Sequence, residues 1–137
     1  MGKNKNLSIP NPKIKEDYKL VFSFEFYDTS EDFCLSKFKR EDVKKALERL
    51  RQLNCKTLDE IFRQKKVLHF HEVDWNKTIK KSGFPSTMAN QLSPFQFSLL
   101  GINNQKARVY GAYQNNIFYI VWFDLDHEIW PTFLKNT

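Results

Sequence analysis

Apolar and polar residues alternate from Lys19 onward, which is the pattern of a strand with one apolar face. The apolar positions of this run are Leu20, Phe22, Phe24 and Phe26. Between Lys39 and Leu53 the apolar residues recur every three or four positions, which predicts an amphipathic helix. Thr57, followed by Asp59 and Glu60, resembles a helix N-cap. A second, short helix is therefore expected to run to about Gln64.

The second half of the chain carries mostly strand signals. Residues 67–75 predict a strand, and residues 77–91 predict an irregular segment around a glycine and a proline. Three further strands are predicted at the alternating positions up to Leu99, at residues 108–114 and at the almost wholly apolar run 117–123. Asn115 and Asn116 suit a tight turn between the last two, since asparagine tolerates positive φ.

These elements predict one α+β domain: an N-terminal strand, two helices and a C-terminal antiparallel β-meander. Residues 19–137 would form this domain, and residues 1–18 a flexible basic arm. A length of 137 residues suits a single domain. With 41% hydrophobic and 15% aromatic residues the chain can bury a core, which excludes a disordered or low-complexity protein.

The sequence also carries signals about the cellular compartment. No apolar run reaches the roughly 18 to 20 residues of a membrane helix, and residues 1–10 lack the apolar stretch of a secretory signal. Cys34 and Cys55 stand in no metal-binding spacing and suit buried thiols in a reducing compartment. We therefore expect a cytoplasmic protein with no membrane partner.

Positive charge is concentrated in two parts of the chain. The formal net charge is +6, and residues 35–66 alone hold 11 Lys and Arg against 5 acids. The first 20 residues add 5 Lys against 2 acids. A basic face of this kind favours a polyanion or an acidic partner protein, although it equally suits a solvated surface. On the predicted first helix, Lys44, Lys45 and Arg49 are candidate RNA-binding residues.

The stretch from Phe95 to Pro131 carries a family resemblance. Its sequence, FQFSLLGINNQKARVYGAYQNNIFYIVWFDLDHEIWP, resembles the C-terminal half of the RelE/ParE superfamily of bacterial toxins. In that family an arginine-bearing strand turns through a short polar hairpin into an apolar strand, which ends near a histidine and an aromatic residue. Arg108 stands at the arginine position, and His127 and Trp130 stand where the YoeB-like branch has a histidine and a tyrosine.

The resemblance implies a RelE-like fold and the toxin component of a type II toxin–antitoxin system. Such a protein cuts messenger RNA, often on the ribosome, without a metal or other cofactor. Its implied partners are a cognate antitoxin and mRNA.

The residue types fit this chemistry. Cleavage by the RNA 2′-OH needs a base, an acid and cations for the phosphorane; histidine can serve as acid or base, and arginine offers a charged fork to phosphate oxygens. The candidate catalytic residues are Arg108, His127 and Tyr110. The candidate RNA contacts near them are Lys106, Tyr113 and Trp130, since aromatic rings stack on unpaired bases. Alternation would place Arg108 and Tyr110 on one sheet face and Tyr113 on the other, unless a bulge intervenes at Gly111.

Two alternatives stay open. The chain could be a non-catalytic module of the same fold that binds nucleic acid or protein through its basic helix. His69 and His71 would share one face of a strand, so they could form part of a metal site with a nearby carboxylate. Each candidate residue could also serve the fold alone. Arg108, for instance, could pair with an acid on a neighbouring strand.

Overall fold

The computed structural model describes residues 18–30 and 32–131. In this part of the chain, three α-helices and a five-stranded sheet form a mixed α/β arrangement that is compatible with the predicted α+β class. None of the helices described is both long enough and apolar enough to cross a membrane. Apart from Tyr18, the predicted arm 1–18 lies outside the described residues.

Both predicted helices are confirmed. Helix α1 (Arg40–Asn54) buries Ala46, Leu50 and Leu53 and leaves its lysines exposed, as the apolar spacing requires. Helix α2 (Leu58–Arg63) begins with a capping box at Thr57. The Thr57 hydroxyl accepts from the Glu60 backbone N–H at 3.2 Å, and the Glu60 carboxylate accepts from the Thr57 backbone N–H at 2.9 Å.

The prediction of a strand over residues 67–75 is wrong for most of its length. Helix α3 (Lys65–Leu68) begins it, and strand β2 (His71–Glu72) has only two residues. His69 ends α3 in the left-handed conformation, with φ of 53°, so the helix stops before β2. The sequence pattern misled because Val67 is 65% exposed and belongs to no apolar strand face.

The other strands are β1 (Val21–Ser23), β3 (Ser93–Ser98), β4 (Arg108–Gln114) and β5 (Ile117–Asp124). Their order in the sheet is β1-β5-β4-β3-β2; β1 runs parallel to β5 and all other pairs are antiparallel. Strand β1 is shorter than predicted because the chain turns after Ser23, where the Tyr27 backbone N–H donates to the Phe24 carbonyl. The β4–β5 hairpin turns at Asn115, whose φ is 60°.

The sheet has a hydrophobic core on each face. One core packs α1, α2 and α3 against Phe97, Val109 and Phe118. The other joins Tyr110 and Trp122 to loop residues that include Phe84 and Ile129. Arg108 shares the second face, because it lies two positions from Tyr110 on the same strand.

A β-bulge sits beside Gly111, but on the neighbouring strand. Tyr110 pairs with Trp122 and Gly111 with Ile120, so Val121 is the extra residue. Strand β4 therefore keeps its alternation. Tyr113 lies on the helix face, opposite Arg108 and Tyr110.

Candidate functional site

Arg108 and His127 lie at the same pocket. This pocket has a volume of about 290 Å³ and is lined by Gln105, Lys106, Arg108, Asp126, His127 and Pro131. Arg108 begins β4, and His127 lies in the turn that follows β5, the strand paired with β4. The hairpin thus brings the two candidate catalytic residues together from positions 19 apart in the sequence.

The Arg108 guanidinium is held by one of its two terminal nitrogens. Its Nη1 donates to the carbonyls of Gln105 at 2.6 Å and Ala107 at 3.2 Å, and to Ser98 Oγ at 3.3 Å. Nη2 makes no hydrogen bond to any described residue. Nη2 is therefore the nitrogen that can meet a ligand in the pocket.

Burial lowers the pKa of the Arg108 guanidinium, while the Coulombic effects of Tyr110 and Asp124 raise it. An arginine nonetheless stays protonated in a protein at neutral pH. Asp124 is the direct cross-strand neighbour of Arg108. No ion pair within 4 Å joins these two described residues, so the structure does not place Arg108 in the structural ion pair considered above.

Asp124 instead holds the turn around His127. It is fully buried, and its two carboxylate oxygens accept from the backbone N–H groups of Glu128 at 2.9 Å and Ile129 at 2.8 Å. His127 is half-buried and has φ of 60°, an uncommon conformation for a residue with a β-carbon. Hydrogen bonds to the two residues that follow it thus help to keep His127 in this turn.

Burial raises the pKa of Asp124 to about 6, and the two backbone hydrogen bonds oppose that shift. The carboxylate points into the protein, so it does not present its charge at the surface of the pocket. Asp126, by contrast, is exposed and borders the pocket. A phosphate bound there would lie near one carboxylate and two cations, Lys106 and Arg108.

The candidate catalytic residue Tyr110 and the two candidate aromatic RNA contacts, Tyr113 and Trp130, are not in the lining of this pocket. Tyr110 has no exposed surface, and burial raises its pKa far above the usual range. Trp130 is 7% exposed, and the centroid of its ring lies 5.5 Å from the centroid of the His71 ring. Tyr113 is half-buried on the helix face, against Phe70 and Phe95. Because Tyr110 and Trp130 are covered and Tyr113 faces away, none of them offers a base a stacking surface at the pocket in this structure.

Hollows that share lining residues form a series from the Arg108 pocket to α1, and we call this series the groove. Its far end is a hollow of about 460 Å³ lined by Lys44, Lys45, Glu48, Arg49, Gln52, Leu100 and Gly101. A second hollow of about 380 Å³ shares Lys45 and Gly101 with the first and reaches Asp126, which borders the Arg108 pocket. Lys44 and Lys45 are exposed, whereas Arg49 is half-buried and donates to Gln52 at 3.1 Å.

His69 and His71 do not share a strand face. His69 caps α3, and His71 lies on β2 with its Nε2 at 3.1 Å from Gln96 Nε2. Among the residues described, no group of three His, Cys, Asp or Glu side chains could hold a metal ion. The arrangement on which the metal-site alternative depends is therefore not found in this part of the chain.

Sequence reasoning missed the residues that support the site. Ser98 and Gln105 hold the Arg108 guanidinium, Asp124 holds the His127 turn, and Asn103 donates to that turn from the other side. The asparagine pair at 103–104 signals a turn, but not what its side chains contact. The bonds of Arg108 to Gln105 and of Glu128 to Asp124 lie within turns, whereas those of Arg108 to Ser98 and of Asn103 to Leu125 join segments that only the fold brings together. The apolar pattern encodes neither kind of contact.

Comparisons of the chain with models of known families, with curated proteins and with solved structures gave no match.

Proposed function

We propose that this protein is a RelE-like toxin that cleaves messenger RNA without a metal ion. The observation that carries the proposal is the shared pocket of Arg108 and His127, with Lys106 beside them. A guanidinium, an imidazole and an ammonium group at one opening can supply the charge stabilisation and one of the two proton transfers that RNA cleavage by the 2′-OH requires.

In the proposed reaction, the 2′-OH loses its proton and its oxygen attacks the adjacent phosphorus. The bond from phosphorus to the 5′-oxygen breaks, and that oxygen takes up a proton. The products are a 2′,3′-cyclic phosphate and a 5′-hydroxyl. Arg108 Nη2 would stabilise the charge that develops on the phosphoryl oxygens. His127 would serve as the acid or the base, and a water molecule would take the other role.

The groove gives the RNA a path to this pocket. Lys44, Lys45 and Arg49 lie at its far end and would contact phosphates without reading the sequence. Tyr110 and Trp130, being covered, would support the site from within instead of stacking on bases. A cognate antitoxin, and mRNA free or bound to the ribosome, are the partners that belong to this proposal.

Expression in bacteria with matched variants tests the proposal. His127→Asn should relieve growth arrest, and His69→Asn should not. Both histidines have positive φ, at 60° and 53°, and asparagine tolerates that conformation, so the pair differs mainly in the imidazole removed. Arg108→Ala should likewise relieve arrest, whereas Arg63→Ala, which removes an exposed arginine of α2, should not. Full toxicity of both His127→Asn and Arg108→Ala would refute the proposal.

A non-catalytic binding module is the second candidate. It is favoured by the hollow beside α1, which is larger than the Arg108 pocket and lies among three cations. Under this alternative, reversing the charges of Lys44, Lys45 and Arg49 abolishes RNA or partner binding, and purified protein leaves RNA intact. Cleavage by the wild-type protein separates the two candidates.

A further inference from the structure

Three consecutive residues between β3 and β4 adopt the left-handed conformation. Asn103, Asn104 and Gln105 have φ of 51°, 55° and 69°. Residues with a β-carbon rarely adopt this conformation, and asparagine tolerates it best. A run of three requires that the surrounding structure hold the turn in place.

The turn contacts both halves of the candidate site. On one side, the Gln105 carbonyl accepts from Arg108 Nη1 at 2.6 Å. On the other, Asn103 Nδ2 lies 2.9 Å from the Leu125 carbonyl and 2.9 Å from Asp126 Oδ1, the two residues that precede His127. A further bond, from the Gly101 backbone N–H to Gln105 Oε1 at 2.7 Å, closes the turn on itself.

The two sides of the His127 turn are thus held separately. Asp124 accepts from the two residues after His127, and Asn103 donates to the two residues before it. Of the two supporting residues, Asp124 and Asn103, only Asn103 lies in the same turn as Gln105, whose carbonyl accepts from Arg108. It is therefore placed to fix the imidazole relative to the guanidinium.

We propose that Asn103 is a positioning residue, whose side-chain amide holds the His127 turn in register with Arg108. This inference rests on the proposed function for its catalytic meaning, although the positioning itself can be measured without RNA. A displacement of about 1 Å at a catalytic group can cost about 100-fold in rate.

Asn104 provides a control within the same turn. It has nearly the same φ, but its side chain makes no hydrogen bond to a described residue. If asparagine is required only because it tolerates positive φ, substitutions at 103 and 104 should have similar effects. If the hydrogen bonds to residues 125 and 126 matter, only substitutions at 103 should disturb the site.

The test compares Asn103→Asp with Asn104→Asp. Aspartate has the shape of asparagine, also tolerates positive φ, and removes the amide donor. Both variants add the same charge to the same turn. We expect Asn103→Asp to lower kcat by about 100-fold. Its KM should be close to that of Asn104→Asp, and the kcat of Asn104→Asp should remain within a few-fold of the wild-type value.

A second readout needs no activity. The ring nitrogen resonances of His127 in NMR spectra, assigned with His127→Asn, should shift in Asn103→Asp and stay in place in Asn104→Asp. Asn103→Ala, compared with Asn104→Ala, repeats the comparison without the added charge. Equal His127 spectra in the matched variants would overturn the inference, whether or not the protein cleaves RNA.

A rescue variant separates positioning from general damage. In the double variant Asn103→Asp with Asp126→Asn, the new amide at 126 can donate to the new carboxylate at 103, which restores the bond in the opposite direction. We expect it to recover part of the lost kcat and the His127 spectrum. Asn104→Asp with Asp126→Asn controls for the charge removed at 126. No recovery relative to Asn103→Asp would contradict a role through the 103–126 bond.

Discussion

At the scale of single residues, the candidate site depends on how Arg108 divides its hydrogen bonds. Three oxygen atoms hold Nη1, and Nη2 is left for a ligand. The guanidinium is therefore oriented before any substrate arrives, which lowers the cost of binding an anion.

Arg108→Lys should show that this orientation matters beyond charge. A lysine keeps the positive charge but has no planar fork, so it cannot hold the three oxygens and still offer a second nitrogen. We expect cleavage to fall by about 100-fold, which corresponds to about 2.7 kcal/mol of lost transition-state stabilisation. Kinetics on a short RNA would measure this. Activity within a few-fold of wild type would contradict the assigned role of the fork.

Asp124 should make the stability of the fold depend on pH. Its pKa is raised from the ordinary value of 3.8 to about 6 in the folded protein. The folded chain thus binds this proton more tightly than the unfolded chain, so the contribution of Asp124 to stability increases as the pH falls below 6 and is lost as the pH rises through 6.

The comparison with Asp124→Asn measures this effect. Between pH 7.5 and pH 4.5, wild type should gain about 2 kcal/mol in free energy of unfolding relative to the variant. Urea unfolding at the two pH values provides the measurement. A difference that does not change with pH would show that Asp124 does not titrate as described.

At the scale of elements, the hairpin that carries Arg108 depends on Gly111. A β-carbon added there would lie 2.2 Å from the Tyr119 carbonyl oxygen and 2.4 Å from Phe118 Cε1. These atoms belong to the paired strand β5, and its backbone cannot move aside cheaply.

Gly111→Ala should therefore destabilise the protein by about 3 kcal/mol, at the upper end of the range for overpacking. Denaturant unfolding measures the loss. Gly101→Ala is the matched control, because a β-carbon there meets no atom within 4 Å and only the positive φ of 85° is strained. A loss at Gly111 no greater than that at Gly101 would contradict the described packing of the hairpin.

The elements differ in how far the sequence predicts them. Helix α1 follows from its periodicity, the last strand from its almost wholly apolar run, and α2 from its N-cap at Thr57. The alternation at residues 20–26 predicts β1 but not its early end, and helix α3, with four residues, is too short for a period to show. Strand β1 ends at a local turn after Ser23, and α3 ends at His69, whose φ is positive; the apolar pattern encodes neither feature.

The candidate site was only partly predictable for a related reason. The resemblance to RelE/ParE toxins implied Arg108 and His127 as site residues, and both line one pocket in the structure. The burial of Tyr110 and Trp130 could not be seen, because the loops that cover the second sheet face carry no regular pattern. The bond from Asn103 to Asp126 likewise joins two turns that only the folded chain brings together.

At the scale of the whole molecule, the groove from α1 to the pocket determines how an RNA would approach. The three cations at its far end make binding depend on salt, because each phosphate contact releases counterions. Replacing Lys44, Lys45 and Arg49 by alanine should reduce the slope of log binding constant against log salt by about 2, at roughly 0.7 for each contact to a single strand.

A fluorescence titration of labelled single-stranded RNA at several salt concentrations measures that slope. The matched control is a triple alanine variant of three cations that lie outside the groove and carry the same total charge: Arg63, Lys65 and Lys66. If alanine at these three control positions reduces the slope as much as alanine at 44, 45 and 49, the groove does not bind RNA preferentially.

The ends of the cut RNA test the central claim most directly. Purified protein should be incubated with RNA, free and on bacterial ribosomes, in the presence of a chelator, and the fragments analysed by mass spectrometry. We expect 2′,3′-cyclic phosphate and 5′-hydroxyl ends from wild type and from His69→Asn, and intact RNA from Arg108→Ala and His127→Asn. Intact RNA with wild type on both substrates, or the same fragments from all four proteins, would contradict the idea that this guanidinium and this imidazole form a nuclease site.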